Sequence, residues 1–483
     1  MKNIFNILIL GLIIQSCSTS KKQTQNDIHA YFETIKQDEN NLNTFFKKMP
    51  KGGDIHHHAS GTPYAEDFIK NAINDSCFIN TTTYQLYFNK KQALKEKDSS
   101  IVLINTLLAN HPNEKDSIIN NWSVKNYKER NKDGHDLFFS TFGKFKPAFV
   151  GHESELLSDI CKRASNDNIS YIETMIRVSN VSDSVSKLAT KSKNKWDNDT
   201  RPVKIKLNNL YNYFVENNLS KWSKINADSL DNYYERTKRH NVHLKFQTYG
   251  VRVSSNQPEI FAHLIVAFET ASLTDNLVGI NFVAPEDHYN ALNNYGLHME
   301  MFQFLNNKYP NTNISLHAGE LVLSKGSVTE SDLKYHINDA LKTAKATRIG
   351  HGVDLIQEDD YESILNFMKH NNCAVEINLE SNEVILETNT INHPIRAYFK
   401  NDIPICISTD DEGVLRTNLI NQYMLLLQYI PEIKYAEIKD IVYNSINYSF
   451  LNRIEKTKVL SELDDKFEIF EKEIIIFSKL LNE

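Results

Sequence analysis

Cysteine, net positive charge and long apolar runs are all scarce in this chain. Five cysteines stand in 483 residues, at positions 17, 77, 161, 373 and 406, and no two share the short spacing of a cysteine metal site. Cys373 and Cys406 fall beside or within strand-like apolar runs, where a free thiol behaves as a small hydrophobe, so no disulfide is expected. The net charge is −7 and the pI about 6.2, which excludes the basic stripe of a nucleic-acid binder. No apolar run reaches the roughly 20 residues needed to cross a bilayer, and no repeat or low-complexity tract interrupts the sequence. What is present is a globular composition, 41% hydrophobic and 24% charged. The length suits one large barrel with insertions, or about two or three ordinary domains.

Residues 1–17 read as a separate unit. Lys2 supplies a positive start, residues 4–14 a short apolar stretch, and Ile14-Gln15-Ser16-Cys17 puts a small residue directly before a cysteine. The pattern resembles a bacterial lipoprotein signal. That resemblance implies lipidation of Cys17 and export to the periplasmic or cell-surface face of a bacterial membrane, with the lipid anchor as the only membrane contact. An ordinary secretory signal with an incidental cysteine is the alternative. Residues 18–26 are polar and suit a tether.

Residues 27–48 have helical apolar spacing, at Ile28, Tyr31, Phe32, Ile35, Leu42, Phe45 and Phe46. From Met49 onward strand-like and helix-like stretches alternate, the mark of a parallel sheet. Strands are expected over residues 53–58, 170–176, 243–249, 278–283, 313–317, 347–350, 374–378 and 403–408. Eight strands close a barrel, and several are near-continuous apolar runs, as strands buried on both faces should be. The expected fold is therefore α/β, a (β/α)8 TIM barrel over residues 49–483, preceded by a tether and N-terminal helix over 18–48. Two long insertions follow strands 1 and 2. Residues 63–168 should form a helical cap, with helical patterns at 100–109 and 137–149. Residues 180–239 form a second insertion, polar in its first half and helical over 220–240. The tail from Tyr435 reads as amphipathic helices.

Four strand ends carry chemistry. His56 and His58 alternate on one strand, so both imidazoles point to one side and His57 to the other. Two inward imidazoles suit a divalent ion such as zinc. His317 ends a later strand and can be a third ligand, while Ala318-Gly319 turns the chain to aim Glu320 inward, where burial would make it a general acid. His351, between two glycines, has room to deprotonate or orient a water; a fourth ligand or a core histidine is the other reading. Asp410 and Asp411 are adjacent carboxylates that repel unless taken up by a cation and a substrate donor. Alone, each segment has an ordinary explanation in a solvated turn, a helix start or a core pair. All four at successive strand ends do not.

Residues 49–58 (Met-Pro-Lys-Gly-Gly-Asp-Ile-His-His-His), 315–320 (Ser-Leu-His-Ala-Gly-Glu), 348–352 (Arg-Ile-Gly-His-Gly) and 408–411 (Ser-Thr-Asp-Asp) resemble the adenosine deaminase family of the amidohydrolase superfamily. The opening at 49–53 and the long N-terminal insertions are similar to its secreted, growth-factor-related branch. Weaker matches at 171–173, 278–281, 375–382 and 444–451 extend the resemblance over most of the chain. It implies one zinc ion held by His56, His58, His317 and Asp410. It further implies a water activated by His351 that attacks C6 of the purine, Glu320 protonating N1, and Asp411 facing N7. The products would be inosine and ammonia from adenosine or 2′-deoxyadenosine.

Two positions depart from the family pattern. Ser60 stands where many members have an aspartate that contacts the ribose, and Ala284 stands where a glycine lets the base approach the backbone. Both remain candidate substrate-binding residues. The interval between His317 and His351 is long and implies an inserted helical stretch near 329–347. The competing enzyme is a deaminase of another purine, such as adenine or a 5′-modified adenosine; nucleotide use needs an Arg or Lys cluster at the pocket mouth, and no motif supplies one. A non-catalytic nucleoside-binding surface protein would need a broken catalytic set. The expected partner is a small purine nucleoside, and nothing in the sequence fixes an oligomeric state.

Overall fold

The computed structural model describes residues 26–481. Cys17 and the signal and tether expected before residue 26 lie outside the described residues. Eight parallel strands form the centre: β1 (Gly53–His58), β2 (Tyr171–Met175), β3 (His243–Val251), β4 (Leu277–Val283), β5 (Ser315–Ala318), β6 (Arg348–His351), β7 (Ala374–Ile377) and β8 (Ile405–Ile407). Strands β1 to β4 pair in chain order, as do β5 to β8. Parallel bridges from Ile280 to Ile314 and from His57 to Asp410 join the two halves. The sheet is thus closed on itself, with no free edge, and the fold is the expected (β/α)8 barrel. Each expected strand is present, with ends shifted by up to two residues.

The strands persist because they are buried on both faces. Their outward side chains pack under helices, while the inward ones are largely polar and satisfy one another. Arg348, 1% exposed, bonds Glu173 and Glu376 at 2.6 Å each and sits 3.7 Å from the centroid of the Phe450 ring. Glu173 also accepts from Tyr171, Gln247 and the Phe450 amide. A charged barrel interior of this kind is tolerable only because its charges are paired and bonded.

The N-terminal extension folds as helices at 26–35 and Glu39–Lys48. Phe32, Phe45 and Phe46 interlock with Tyr423, Tyr435 and Phe470 from the C-terminal part of the chain. Lys51 then pins the approach to β1. Its buried ammonium donates to the carbonyls of Met49 (2.9 Å) and Asp167 (2.8 Å). Gly52 follows at φ +63°, where an added Cβ would lie 2.5 Å from Ser445 Oγ and 2.6 Å from the Val442 carbonyl. The Lys-Gly step is therefore a structural hinge between extension and barrel.

The cap differs from expectation in one respect. It is not wholly helical: Phe78–Asn80 pairs antiparallel with Leu86–Tyr87 and with Ile101–Leu103. The helical pattern expected over 100–109 is split, its first part a strand and the rest the helix Ile104–Asn110. Ile101 and Val102 are β-branched and find a strand partner, which overrides the apolar spacing. The cap's longest helix, Gly134–Phe149, reaches over the barrel mouth. The second insertion is helical from its start, at Ser179–Thr190, because Val181, Val185 and Ala189 give one buried face within an otherwise polar stretch. The interval before β6 carries a short 3-10 turn and the helix His336–Lys342.

Candidate metal centre and active site

Every polar residue expected to act, outside the undescribed N-terminus, lies at the carboxyl ends of the strands. His56 and His58 come from β1, His317 from β5, His351 from the last position of β6, and Asp410 and Asp411 from the turn after β8. His56, His58, His317 and Asp410 each offer one ligand atom, and these four atoms lie within 4.8 Å of one another. His56 Nε2 is 3.1 Å and His58 Nε2 3.2 Å from His317 Nε2. Asp410 Oδ1 is 3.2 Å from His58 Nε2 and 3.6 Å from His56 Nε2. Two donors about 2.0–2.1 Å from a tetrahedral ion stand roughly 3.3 Å apart, so the spacing fits one small cation.

The tautomers fit as well. His56 Nδ1–H donates to Glu376 at 2.6 Å, and Glu376 is anchored by Arg348. Asn281 Oδ1 accepts from the amides of Phe282 and His317, which identifies it as the oxygen, so His317 Nδ1–H must donate to it at 2.9 Å. Both rings therefore turn a bare Nε2 lone pair toward the common point. Lone pairs facing each other at 3.1 Å repel unless a cation lies between them. Such outer bonds orient metal-binding histidines generally. Ser381 donates to Asp410 Oδ2 at 2.6 Å, leaving Oδ1 for the cluster. Burial opposes charge on His56, but hydrogen bonds to Asp410 and Glu376 push its pKa up to about 10.

Packing demands small neighbours. A Cβ on Gly350 would lie 2.5 Å from the His56 ring, so glycine before His351 leaves the ring its space. Asp410 itself takes φ +63°, a left-handed conformation that aspartate tolerates, and its backbone pairs with the His56 carbonyl and the His58 amide at 3.0 Å each.

A cavity of about 320 Å³ opens over this cluster. Glu320, Asp411, Ser60 and Ala284 all line it, together with His58 and His317. Burial, then the nearby Asp410 and Glu286 charges, raises the Glu320 pKa well above the ordinary carboxylate value. Burial and Asp410 do the same for Asp411. Asp411 Oδ1 is buried with no hydrogen-bond partner. Two carboxyl groups whose protonated forms burial favours thus line the cavity, and one of them has an oxygen without a partner. Asp410 stays ionised, since hydrogen bonds from His56 and His58 outweigh the burial that opposes its charge.

His351 lies behind the donors, its Nε2 3.7 Å from Glu320 Oε1. A chain of hydrogen bonds fixes its tautomer. The Ile395 amide donates to His393 Nδ1 at 3.0 Å, so His393 Nε2–H must donate to Asn382 Oδ1 at 3.1 Å. Asn382 Nδ2 then donates to His351 Nδ1 at 2.9 Å. Burial and the neighbouring His56 lower the His351 pKa to about 3, so the ring is neutral; a hydrogen on Nε2 pairs with the Asn378 side-chain amide, 3.4 Å away, when that amide presents its otherwise unpartnered oxygen.

Several of these residues escaped the sequence. Glu376 and Asn281 stand out only as polar residues within buried strands. Asn382 falls within the weaker match at 375–382 but with no role assigned, and no local pattern marks His393, which acts on His351 through it. The wall of Phe138, Phe139 and Phe142 belongs to the cap helix Gly134–Phe149, whose helical pattern is legible but whose facing side is not.

Histidines and acids converging at the strand carboxyl ends of a closed parallel barrel occupy the place where such barrels carry their active sites. Residues 242–466 match the family model described as adenosine deaminase. An adenosine deaminase of Clostridium acetobutylicum is 31% identical over 170 residues, which are 35% of this chain and 46% of that protein. The matches span about half the length of the first curated relatives. Among solved structures, the N6-methyl-AMP deaminase of Arabidopsis thaliana superposes with a TM-score of 0.55 at 16% identity, over 88% of this chain and 98% of that one. An adenine deaminase of Arthrobacter aurescens gives 0.51 at 14% identity, over 87% and 99%. Over residues 242–466 the chain is similar to the adenosine deaminase family.

Proposed function

We propose that this chain hydrolyses adenosine and 2′-deoxyadenosine to the corresponding inosine and ammonia, with one zinc ion per chain held by His56, His58, His317 and Asp410. The observation that carries the reading is the pairing of two kinds of group in one cavity: a converging set of three imidazoles and a carboxylate, and two buried carboxyl groups, Glu320 and Asp411, on the same lining, whose pKa values burial raises. A zinc ion in such a set lowers the pKa of water to about 7 and so supplies hydroxide at neutral pH.

The chain's own groups do the rest. His351 points Nε2–H at the attacking oxygen and holds it against C6 of the ring; its fixed tautomer makes it a donor and an orienting group. Glu320 gives its proton to N1 as the C–O bond forms, which neutralises charge building on the ring; general acid catalysis of this kind supplies roughly 10²–10⁴-fold. Protonated Asp411 donates to N7, an acceptor only, and so satisfies the oxygen left without a partner. The hydroxyl proton on the tetrahedral C6 passes to the amino nitrogen, the C–N bond breaks to release ammonia, and the new C6 carbonyl restores the planar ring. Ser60 faces the sugar, and the Ala284 methyl forms part of the surface under the base. The phenylalanines of the cap exclude water from the stacked purine.

The test is an ultraviolet assay of purified protein on adenosine, deoxyadenosine and adenine, with Glu320→Gln beside wild type. Turnover of adenosine, lost by at least about a hundredfold in Glu320→Gln with metal retained, supports the reading. Turnover of adenine alone moves the substrate to the free base, and a Glu320→Gln protein that binds nucleoside equally well with no turnover in wild type marks a binding protein. The same proposal places the chain in the secreted, growth-factor-related branch and on a bacterial membrane through lipidated Cys17. The sequence pattern at 14–17 and the opening at 49–53 support it, and Cys17→Ala should release the protein from the membrane fraction.

A further inference from the structure

We propose that a compartment beyond Ser60 is a subsite for an anionic substituent on the 5′ carbon of the sugar, so that nucleoside 5′-monophosphates are substrates as well as nucleosides. This rests on the reading above, which sets the purine against Glu320 and Asp411 and the sugar toward Ser60. The cavity over the metal ligands is bounded by Ser60, Phe142, Tyr249 and Val251. The same four residues line a second cavity of about 310 Å³, nearly equal to the first. A nucleoside seated in the first would turn its 5′ carbon toward this one.

The second cavity is cationic. Arg177, just past the carboxyl end of β2, and Lys146, from the cap helix, both line it. Neither has a carboxylate within 4.0 Å among the described residues. Arg177 is half-buried and held in place: it donates to His263 Nε2 at 2.5 Å, and its guanidinium lies 5.8 Å from the centre of the Tyr249 ring. His263 accepts because burial holds it neutral. One arm of the guanidinium is thereby fixed, and its remaining N–H groups bond no other side chain or carbonyl among the described residues. A fork of that kind matches phosphate oxygens. Ser182, from the first turn of the helix Ser179–Thr190, adds a hydroxyl. Asp183 is the carboxylate on this lining, and it confines an anion to the Arg177 and Lys146 side. Glu259 and Asp183 lie near enough to oppose the burial of the Arg177 charge, but neither comes within ion-pair distance, so an incoming anion can still take up the guanidinium.

The experiment measures kcat/KM of the purified full chain for adenosine, AMP and 5′-deoxy-5′-methylthioadenosine, in wild type, Arg177→Gln and Lys146→Gln. Melting shifts with IMP and with inosine are read in parallel. Wild type should use AMP, and the ratio of AMP to adenosine kcat/KM should fall about tenfold or more in Arg177→Gln, the loss expected for one charged hydrogen bond. Lys146→Gln, at an exposed position, should lower the same ratio less, and IMP should raise the melting temperature more than inosine does. Turnover of adenosine without AMP, a ratio unmoved by both substitutions, or preference for the methylthio compound over AMP would overturn the subsite and leave the deaminase reading standing. Absence of turnover on all three overturns the deaminase reading itself; the IMP and inosine shifts then decide the subsite alone.

Discussion

Asn382 donates to Nδ1 of His351 across 2.9 Å, and that bond decides which nitrogen of the ring faces the pocket. Asn382→Asp reverses it, because a carboxylate accepts only: the hydrogen would move to Nδ1 and Nε2 would become a bare acceptor. The expected result is a fall in kcat of roughly 10–100-fold, the usual size for loss of an orienting partner. Metal content should be unchanged, since neither residue belongs to the four-donor set. Steady-state kinetics with metal analysis of the same sample checks it. An active Asn382→Asp protein would show that His351 works in either tautomer.

Ala284 holds φ +78°, a conformation that costs a non-glycine residue about 1–2 kcal/mol. Glycine there would relieve the strain and lose about 0.5–1 kcal/mol through its freer unfolded chain. Ala284→Gly should therefore be neutral or stabilising, by up to about 1 kcal/mol. It should also lower KM for adenosine, because the methyl no longer separates base from backbone. Urea unfolding and kinetics test the two halves separately; clear destabilisation would contradict the strain.

Lys51 gives a pH dependence of stability. Burial, opposed by the nearby Asp167, lowers its pKa from 10.5 to about 7 in the folded chain. Between these values the unfolded chain binds more protons, so stability rises with pH from about 7 toward 10 and is flat below, where both states are charged. Lys51→Met removes the titrating group, so its unfolding midpoint should rise less steeply over that window than wild type. Parallel curves would show that Lys51 titrates normally.

The legible part of the site was whatever the strand period exposes. His56 and His58 sit two apart, so one glance at the alternation puts them on one face. Asp410 and Asp411 end an apolar run, and His317 with Glu320 brackets a turn. The eight strands were readable because each is a short apolar or β-branched run between polar stretches, and a barrel follows from their number. The small sheet in the cap was not, since Ile101 and Val102 suit helix spacing until a partner strand is known. His393 and Arg177 were also invisible. One acts through an amide on a helix, and the other through a cavity whose walls come from five separate segments. Contacts that tertiary packing alone creates have no period to betray them.

The central claim is that His56, His58, His317 and Asp410 converge on one cation. Anomalous diffraction at the zinc edge, on crystals of protein purified without chelator, tests it most directly. The expected result is a single peak per chain about 2.0–2.2 Å from Nε2 of the three histidines and from an Asp410 oxygen, absent in His317→Ala crystals. A peak elsewhere, or none in protein that still deaminates adenosine, would contradict the account.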